Sequence, residues 1–213
     1  MPGRSNALSE LTRLWLEERH GCLVRESIPV PVPYALSDID MLALRLDGQA
    51  VELPNGARIG PRLIVETKDE HDWEPMGREF AKLLLSDIAL MSDGRFIPAK
   101  TKGVKFTMLK EEHFAVASKL FGTDDFDRLF VVHALDNDVR RQVDDSLAER
   151  RIYWLTAREL VADLERWYRA HPRATALRNT LVGDLVHLLF GYCGMRMPIE
   201  NAAKERGYAS GPP

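Results

Sequence analysis

Short apolar runs of strand length alternate with stretches whose apolar residues recur at helical spacing, and this alternation constrains the fold more than any other feature of the chain. Ile39–Leu46, Arg62–Lys68, Leu129–Ala134 and Ile152–Leu155 read as strands. Ser9–His20 carries Leu11, Leu14, Trp15 and Leu16 at helical steps and closes on Gly21, a residue suited to a left-handed helix end. Met76–Met91 puts Met76, Phe80, Leu83, Leu84, Ile88 and Met91 on one helical face. Asn137–Glu149 reads as a polar helix, and Thr156 caps a helix reaching about Ala170. Cys22–Val30 is expected to be a strand that gives way at Pro29, Pro31 and Pro33 to a loop ending near Ser37, because proline cannot donate to a ladder. The order is helix, three strands, helix, strand, helix, strand, helices. It predicts an α/β fold with a central mixed sheet flanked by helices and parallel crossovers in its second half.

The strands Ile39–Leu46 and Arg62–Lys68 are expected to pair as an antiparallel hairpin across Asp47–Pro61, with a small extra pair around Val51–Leu53 and Arg58–Gly60. Residues 1–170 then form one domain with an insertion at about 93–122, in which Val104–Leu109 reads as a short strand and Glu111–Phe121 as a helix. Residues 171–206 form a C-terminal helical extension and 207–213 a disordered Gly/Pro tail. In that extension Leu177, Leu181, Leu185, Leu188 and Leu189 are expected to face one way on a helix from Arg173 to Phe190, packed on the core or, in a second reading, on the partner in a homodimer.

A chain of 213 residues, 45% hydrophobic, can bury one sizeable core. Lys and Arg total 29 against 32 Asp and Glu, a net charge of −3, so a nucleic-acid partner must be held by local basic patches. Cys22 and Cys193 lie far apart without metal-ligand spacing and read as reduced, buried thiols. Met1–Ser9 lacks the blocks of a secretory signal, and Leu181–Cys193 is broken by Asp184 and His187 and falls short of the roughly 20 apolar residues that cross a bilayer. A cytoplasmic protein with no membrane partner is expected.

The chemistry gathers at strand ends. Alternation along Arg62–Lys68 sends Glu66 and Lys68 to one face and Thr67 to the other, directly after the apolar Leu63, Ile64 and Val65. Asp40 opens the neighbouring strand, where its carboxylate can reach the same end. Two carboxylates so placed make a hard oxygen site for Mg²⁺ or Mn²⁺, to which the Thr67 carbonyl can add a ligand, while Lys68 can orient water and neutralise charge on a phosphate. The competing reading is a same-face surface ion pair.

The segment Ser37-Asp38-Ile39-Asp40-Met41-Leu42-Ala43-Leu44, followed by Leu63-Ile64-Val65-Glu66-Thr67-Lys68, resembles the PD-(D/E)XK nuclease superfamily, closest in layout to Mrr-type restriction enzymes and archaeal Holliday-junction resolvases. The resemblance implies a restriction-endonuclease-like core in α-β-β-β-α-β order. It also implies metal binding by Asp40 and Glu66 and water activation assisted by Lys68. Ile39 stands where the family's name has proline. Many members complete the metal shell with a glutamate of the first helix, and the resolvases end that helix in a His-Gly pair like His20-Gly21, which points to Glu10 with Glu17 and Glu18 as rivals. Asp38 is the alternative to Asp40.

Arg78 and Lys82 on the helix after the motif, and Lys100, Lys102 and Lys105 in the insertion, are the candidate nucleic-acid contacts. The acidic and histidine residues Asp69–Asp72 read as a polar loop, His113, His133 and His187 as packing or surface groups, and Arg140, Arg141, Arg150 and Arg151 as a salt-bridged exterior. The expected activity is Mg²⁺-dependent hydrolysis of phosphodiester bonds, in DNA sooner than RNA, by water activated at a metal held by two carboxylates. A catalytically silent nuclease-like module binding nucleic acid or a nucleotide is the alternative, and a structural protein with a surface charge network is the third reading.

Overall fold

A computed structural model of the chain describes residues 7–32, 35–68, 78–92, 94–133, 147–171, 180–193 and 195. Helix α1 (Ala7–Leu14) widens into a π-helical turn over Trp15–Arg19 and stops at Gly21, whose φ of +65° is the left-handed conformation that its place in the sequence predicts. β1 (Cys22–Val32) turns back as β2 (Ala35–Arg45); β3 (Val51–Glu52) and β4 (Arg58–Ile59) make a small separate ribbon; and β5 (Arg62–Lys68) returns beside β2. Then come α2 (Arg78–Ile88), a 3₁₀ turn at Thr107–Leu109, α3 (Glu111–Phe121), β6 (Asp127–Val132), β7 (Ile152–Thr156), α4 (Ala157–Ala170) and α5 (Leu181–His187), the last running into a second π turn at Leu188–Tyr192. The main sheet has five strands in the order β1-β2-β5-β6-β7. The first two pairings are antiparallel and the last two parallel, as alternating strands and helices require.

The expected α/β architecture, the hairpin of β2 with β5 and its ribbon are all present. Thr156 caps α4 with a reciprocal box, its Oγ1 accepting from Glu159 N and its own N–H donating to Glu159 Oε2 at 3.0 Å. Four expectations need correction. β1 runs through Pro29 and Pro31 instead of ending there, because it is the edge of the sheet and a missing N–H on its outer side breaks no ladder. β2 begins at Ala35, not after Ser37. Val104–Leu109 is not a strand: it makes a bend and the 3₁₀ turn, followed by an isolated bridge of Lys110 with Ile97. Cys22 is buried, with its thiol pushed up to about 12 by that burial, but Cys193 is exposed. The helix expected over Asn137–Glu149 lies mostly outside the described residues, as do Leu177, Asp69–Asp72 and the tail.

Each face of the sheet has its own core. Leu63 and Val65 of β5, with Met41, Ala43, Leu129 and Val131, pack against Leu8, Trp15 and Leu16 of the first helix and Leu160 and Leu164 of α4. Ile64, with Leu42, Phe130 and Val132, packs against Leu84 and Ile88 of α2 and Phe114 and Ala117 of α3. α5 adds Val186 and, after it, Phe190 to the first core, while Leu181, Leu185 and Leu188 are exposed. Of the leucine stripe expected to pack, Leu181, Leu185 and Leu188 therefore point outward while Leu189 packs in part on the core, since the helix seats on its valine side.

The β1–β2 ladder is interrupted once. Glu26 faces Met41 and Ile28 faces Ile39, but the pair between them, Ser27 with Asp40, is missing, and Ser27 has a φ of +50°. A left-handed serine in mid-strand kinks β1. Before the kink Cys22 and Val24 feed the α1-side core; after it Ile28 and Val30, with Ile39, feed the α2–α3 side. Ser27→Gly should therefore leave stability unchanged or raise it slightly, whereas Ser27→Val should cost about 1–2 kcal/mol in urea unfolding; equal stability of the two would show that the kink is unstrained.

Candidate functional site

β2 and β5 pair from Leu44–Arg62 to Met41–Val65 and then part. Asp40 stands at that split. Its Oδ2 accepts from the backbone N–H of Thr67 at 2.7 Å and from Thr67 Oγ1 at 3.2 Å, taking a place that a backbone carbonyl would fill in a continuous ladder. The N–H and C=O of a strand residue point to one side, so Thr67 turns its carbonyl toward the same split. Thr67 Oγ1 also meets Ser9 Oγ at 2.7 Å, which ties α1 to the end of β5.

Glu66 leaves β5 on the opposite face and is only 4% exposed. Its Oε2 accepts from Met108 N at 3.2 Å, and its Oε1 lies 2.5 Å from Lys68 Nζ without hydrogen-bond geometry to any donor among the described residues. Met108 is presented by the 3₁₀ turn. That turn is fixed in its turn by Asp87 of α2, whose Oδ2 accepts from Lys105 N and Phe106 N, both at 2.8 Å. Burial raises the pKa of Asp87 and lowers that of His113, whose Nε2 sits 3.0 Å from Ser37 Oγ at the start of β2. Met108, Asp87 and His113 were not legible as site residues: one contributes a backbone group, and the other two are brought in from helices across the sheet face.

Asp40 is near enough to Glu66 and Lys68 for both to act on its ionisation. Burial and then the Glu66 charge raise its pKa to about 6, against the pull of the Thr67 N–H and the Lys68 ammonium. Of the expected set, Asp40, Thr67, Glu66 and Lys68 thus occupy one strand-end region, with Asp40 in the split and Glu66 and Lys68 on the α2–α3 side. Glu10 is half-buried on α1, which covers the Thr67 side, and its neighbour Ser9 hydrogen-bonds Thr67. Glu17, one of its two rivals, pairs with Arg13 at 3.1 Å.

Among the described residues no group of 3 or more His, Cys, Asp or Glu side chains is placed to hold a metal ion. A divalent cation would instead rely on Asp40, Glu66 and the Thr67 carbonyl, and these fit it in one respect: each carboxylate has one oxygen tied down by a backbone N–H. Asp40 Oδ1 and Glu66 Oε1 accept no hydrogen bond among the described residues. A desolvated, mutually repelling pair of acids is the electrostatic setting that a cation relieves.

Lys82, Lys100, Lys102 and Lys105 are all exposed, and the side chain of Arg78 lies outside the described residues. The turn bearing Lys100 is pinned by Ala99 N donating to Glu111 Oε2 at 2.9 Å. Arg95, just before it, is spent on Asp124 at 2.7 Å and on the face of Phe114. His133 is exposed, and Tyr168 and His187 hydrogen-bond each other. No helix among the described residues is long and apolar enough to cross a membrane. No protein-family model, curated protein or solved structure matches the chain.

Because the folded state holds the Asp40 proton to a higher pH than the unfolded chain, this group favours folding most below the ordinary aspartate value of 3.8 and that contribution is lost as pH rises through about 6. Asp40→Asn keeps an acceptor for Thr67 and removes the charge. In chelator it should melt above the parent at pH values above about 7, with the gap closing toward about pH 4; a parent that melts higher at alkaline pH would refute the assigned burial of this charge.

Proposed function

We propose that the chain is a Mg²⁺- or Mn²⁺-dependent nuclease of restriction-endonuclease-like fold that hydrolyses phosphodiester bonds in DNA. The observation that carries the proposal is the pair Asp40 and Glu66 at the parting of β2 and β5, each with one oxygen fixed by a backbone N–H, the second oxygen of Glu66 ion-paired with the Lys68 ammonium and that of Asp40 accepting no hydrogen bond among the described residues. Asp40, Glu66 and the Thr67 carbonyl would hold the cation, with Glu10 a further candidate from α1. The bound cation supplies Lewis-acid polarisation of a phosphate oxygen and a lowered pKa for water. Lys68, half-buried next to Glu66, would offset charge building on the phosphate, where a fixed ammonium in a desolvated site is worth far more than in water. The mixed sheet order and the early antiparallel hairpin agree with the expected core order. Lys82, Lys100, Lys102 and Lys105 give exposed cations for the DNA backbone on a chain whose net charge is −3.

One observation favours a second reading, a silent module that binds nucleic acid or a nucleotide: Lys68 closes onto Glu66 at 2.5 Å, an arrangement that a resting salt bridge satisfies without a metal.

Titration calorimetry with Mn²⁺ and cleavage of labelled duplex and single-stranded DNA separate the two. The parent should bind Mn²⁺ and cut, and Lys68→Ala and Glu66→Gln should each lower the cleavage rate by roughly 10²–10³ with the fold retained. Mn²⁺ binding without cleavage would favour the silent module over the nuclease. Absence of Mn²⁺ binding, or full activity in Lys68→Ala, would remove the nuclease assignment.

A further inference from the structure

At the other end of the first helix lies a cavity of about 460 Å³, bounded by Arg19, by Leu53, Pro54 and Gly56 of the β3–β4 ribbon, and by the second half of α4. Its size is in the range that takes a small organic ligand. From Ser9 to Arg19 the helical rise amounts to roughly 15 Å, so the cavity is separate from the carboxylate site.

Two features of its wall are built. Asp163, 6% exposed, accepts from Trp15 Nε1 at 3.0 Å, and holds Arg19 Nε at 3.4 Å and Arg166 Nη2 at 2.9 Å. Both carboxylate oxygens are thereby used, and each guanidinium keeps further N–H groups that no other described residue takes. Beside them the Trp167 indole stacks on the His171 imidazole, with centroids 5.3 Å apart and planes at 26°, and His171 Nδ1 lies 2.9 Å from the Trp167 carbonyl oxygen. A buried acid that orients two guanidiniums next to a flat aromatic wall pairs an oxyanion receptor with a stacking surface.

We infer that this cavity binds a nucleotide, its phosphate on Arg19 and Arg166 and its base against the Trp167–His171 stack. The ligand is either a free mononucleotide or the phosphorylated end of a nucleic-acid strand, since the two present the same group. Glu52, exposed on the ribbon rim, opposes the phosphate and sets a limit on affinity. The inference is independent of the nuclease proposal: the cavity shares no residue with Asp40, Glu66 or Lys68.

Tryptophan fluorescence of the full chain, titrated with deoxyadenosine 5′-monophosphate, with deoxyadenosine, with inorganic phosphate, and with a short single strand bearing or lacking a 5′-phosphate, tests it. The mononucleotide or the 5′-phosphorylated strand should bind, whichever is tighter naming the source, and the nucleoside, inorganic phosphate and unphosphorylated strand should each bind about tenfold more weakly or less. Arg166→Gln and Trp167→Leu, checked for folding by circular dichroism and followed by calorimetry, should each weaken binding by about tenfold, and Glu52→Gln should tighten it. Lys68→Ala should bind as the parent does, whatever its cleavage activity. Failure of both phosphorylated probes to bind, or binding unchanged in Arg166→Gln and Trp167→Leu, would overturn the assignment.

Discussion

The hydrogen bond from Thr67 N–H to the Asp40 carboxylate is where a continuous sheet becomes a site. Two antiparallel strands zip together as long as each backbone donor finds a backbone acceptor, and here the zipper stops after Met41 and Val65 because a side chain takes the next donor. The parting is prepared on the other side of β2, where the left-handed Ser27 interrupts the ladder opposite Asp40. Both neighbours of this one residue are therefore displaced from regular pairing. The result is a pair of acids set at the end of strands whose middles are apolar on both faces.

That arrangement is costly in itself, since burial and the Glu66 charge both disfavour ionised Asp40. The fold offsets the cost locally. Thr67 supplies two donors to Asp40, Met108 one to Glu66, and Lys68 a counter-charge. The Met108 donor depends on Asp87, whose carboxylate holds the preceding bend, so the segment between α2 and α3 works as a structural brace as well as a carrier of exposed lysines. α1 is coupled to the same strand end through Ser9 and, at its far end, to the Asp163 cluster through Trp15 and Arg19. One helix thus links two polar sites that lie on opposite ends of one core.

Much of the fold was legible from residue order. The apolar run Leu63–Val65 sets β5, the Pro54-Asn55-Gly56 turn sets the small ribbon, Thr156 with Glu159 sets the start of α4, and Gly21 the end of the first helix; each is local, through side-chain alternation, turn conformation or capping. Less was legible where a neighbour overrides local preference. Pro29 and Pro31 signalled a strand end, yet stand in β1 because nothing pairs on its outer side; Val104–Leu109 has strand composition but is captured by Asp87 and Glu66. The leucines of α5 are spaced to form a face, and which face packs was settled by the core it met.

For the site the division is the same. By itself the sequence determined that Glu66 and Lys68 share a face with Thr67 opposed, and that Asp40 lies on the strand paired with theirs, because a period of two follows from backbone geometry alone. Only the tertiary structure decided that Asp40 enters the gap between strands, that Ser9 hydrogen-bonds Thr67, that a backbone N–H from beyond α2 holds Glu66, and that Arg19 and Arg166 meet on one buried aspartate. These contacts join residues distant along the chain, and their geometry comes from how two cores pack against one sheet, which no local pattern of residues encodes.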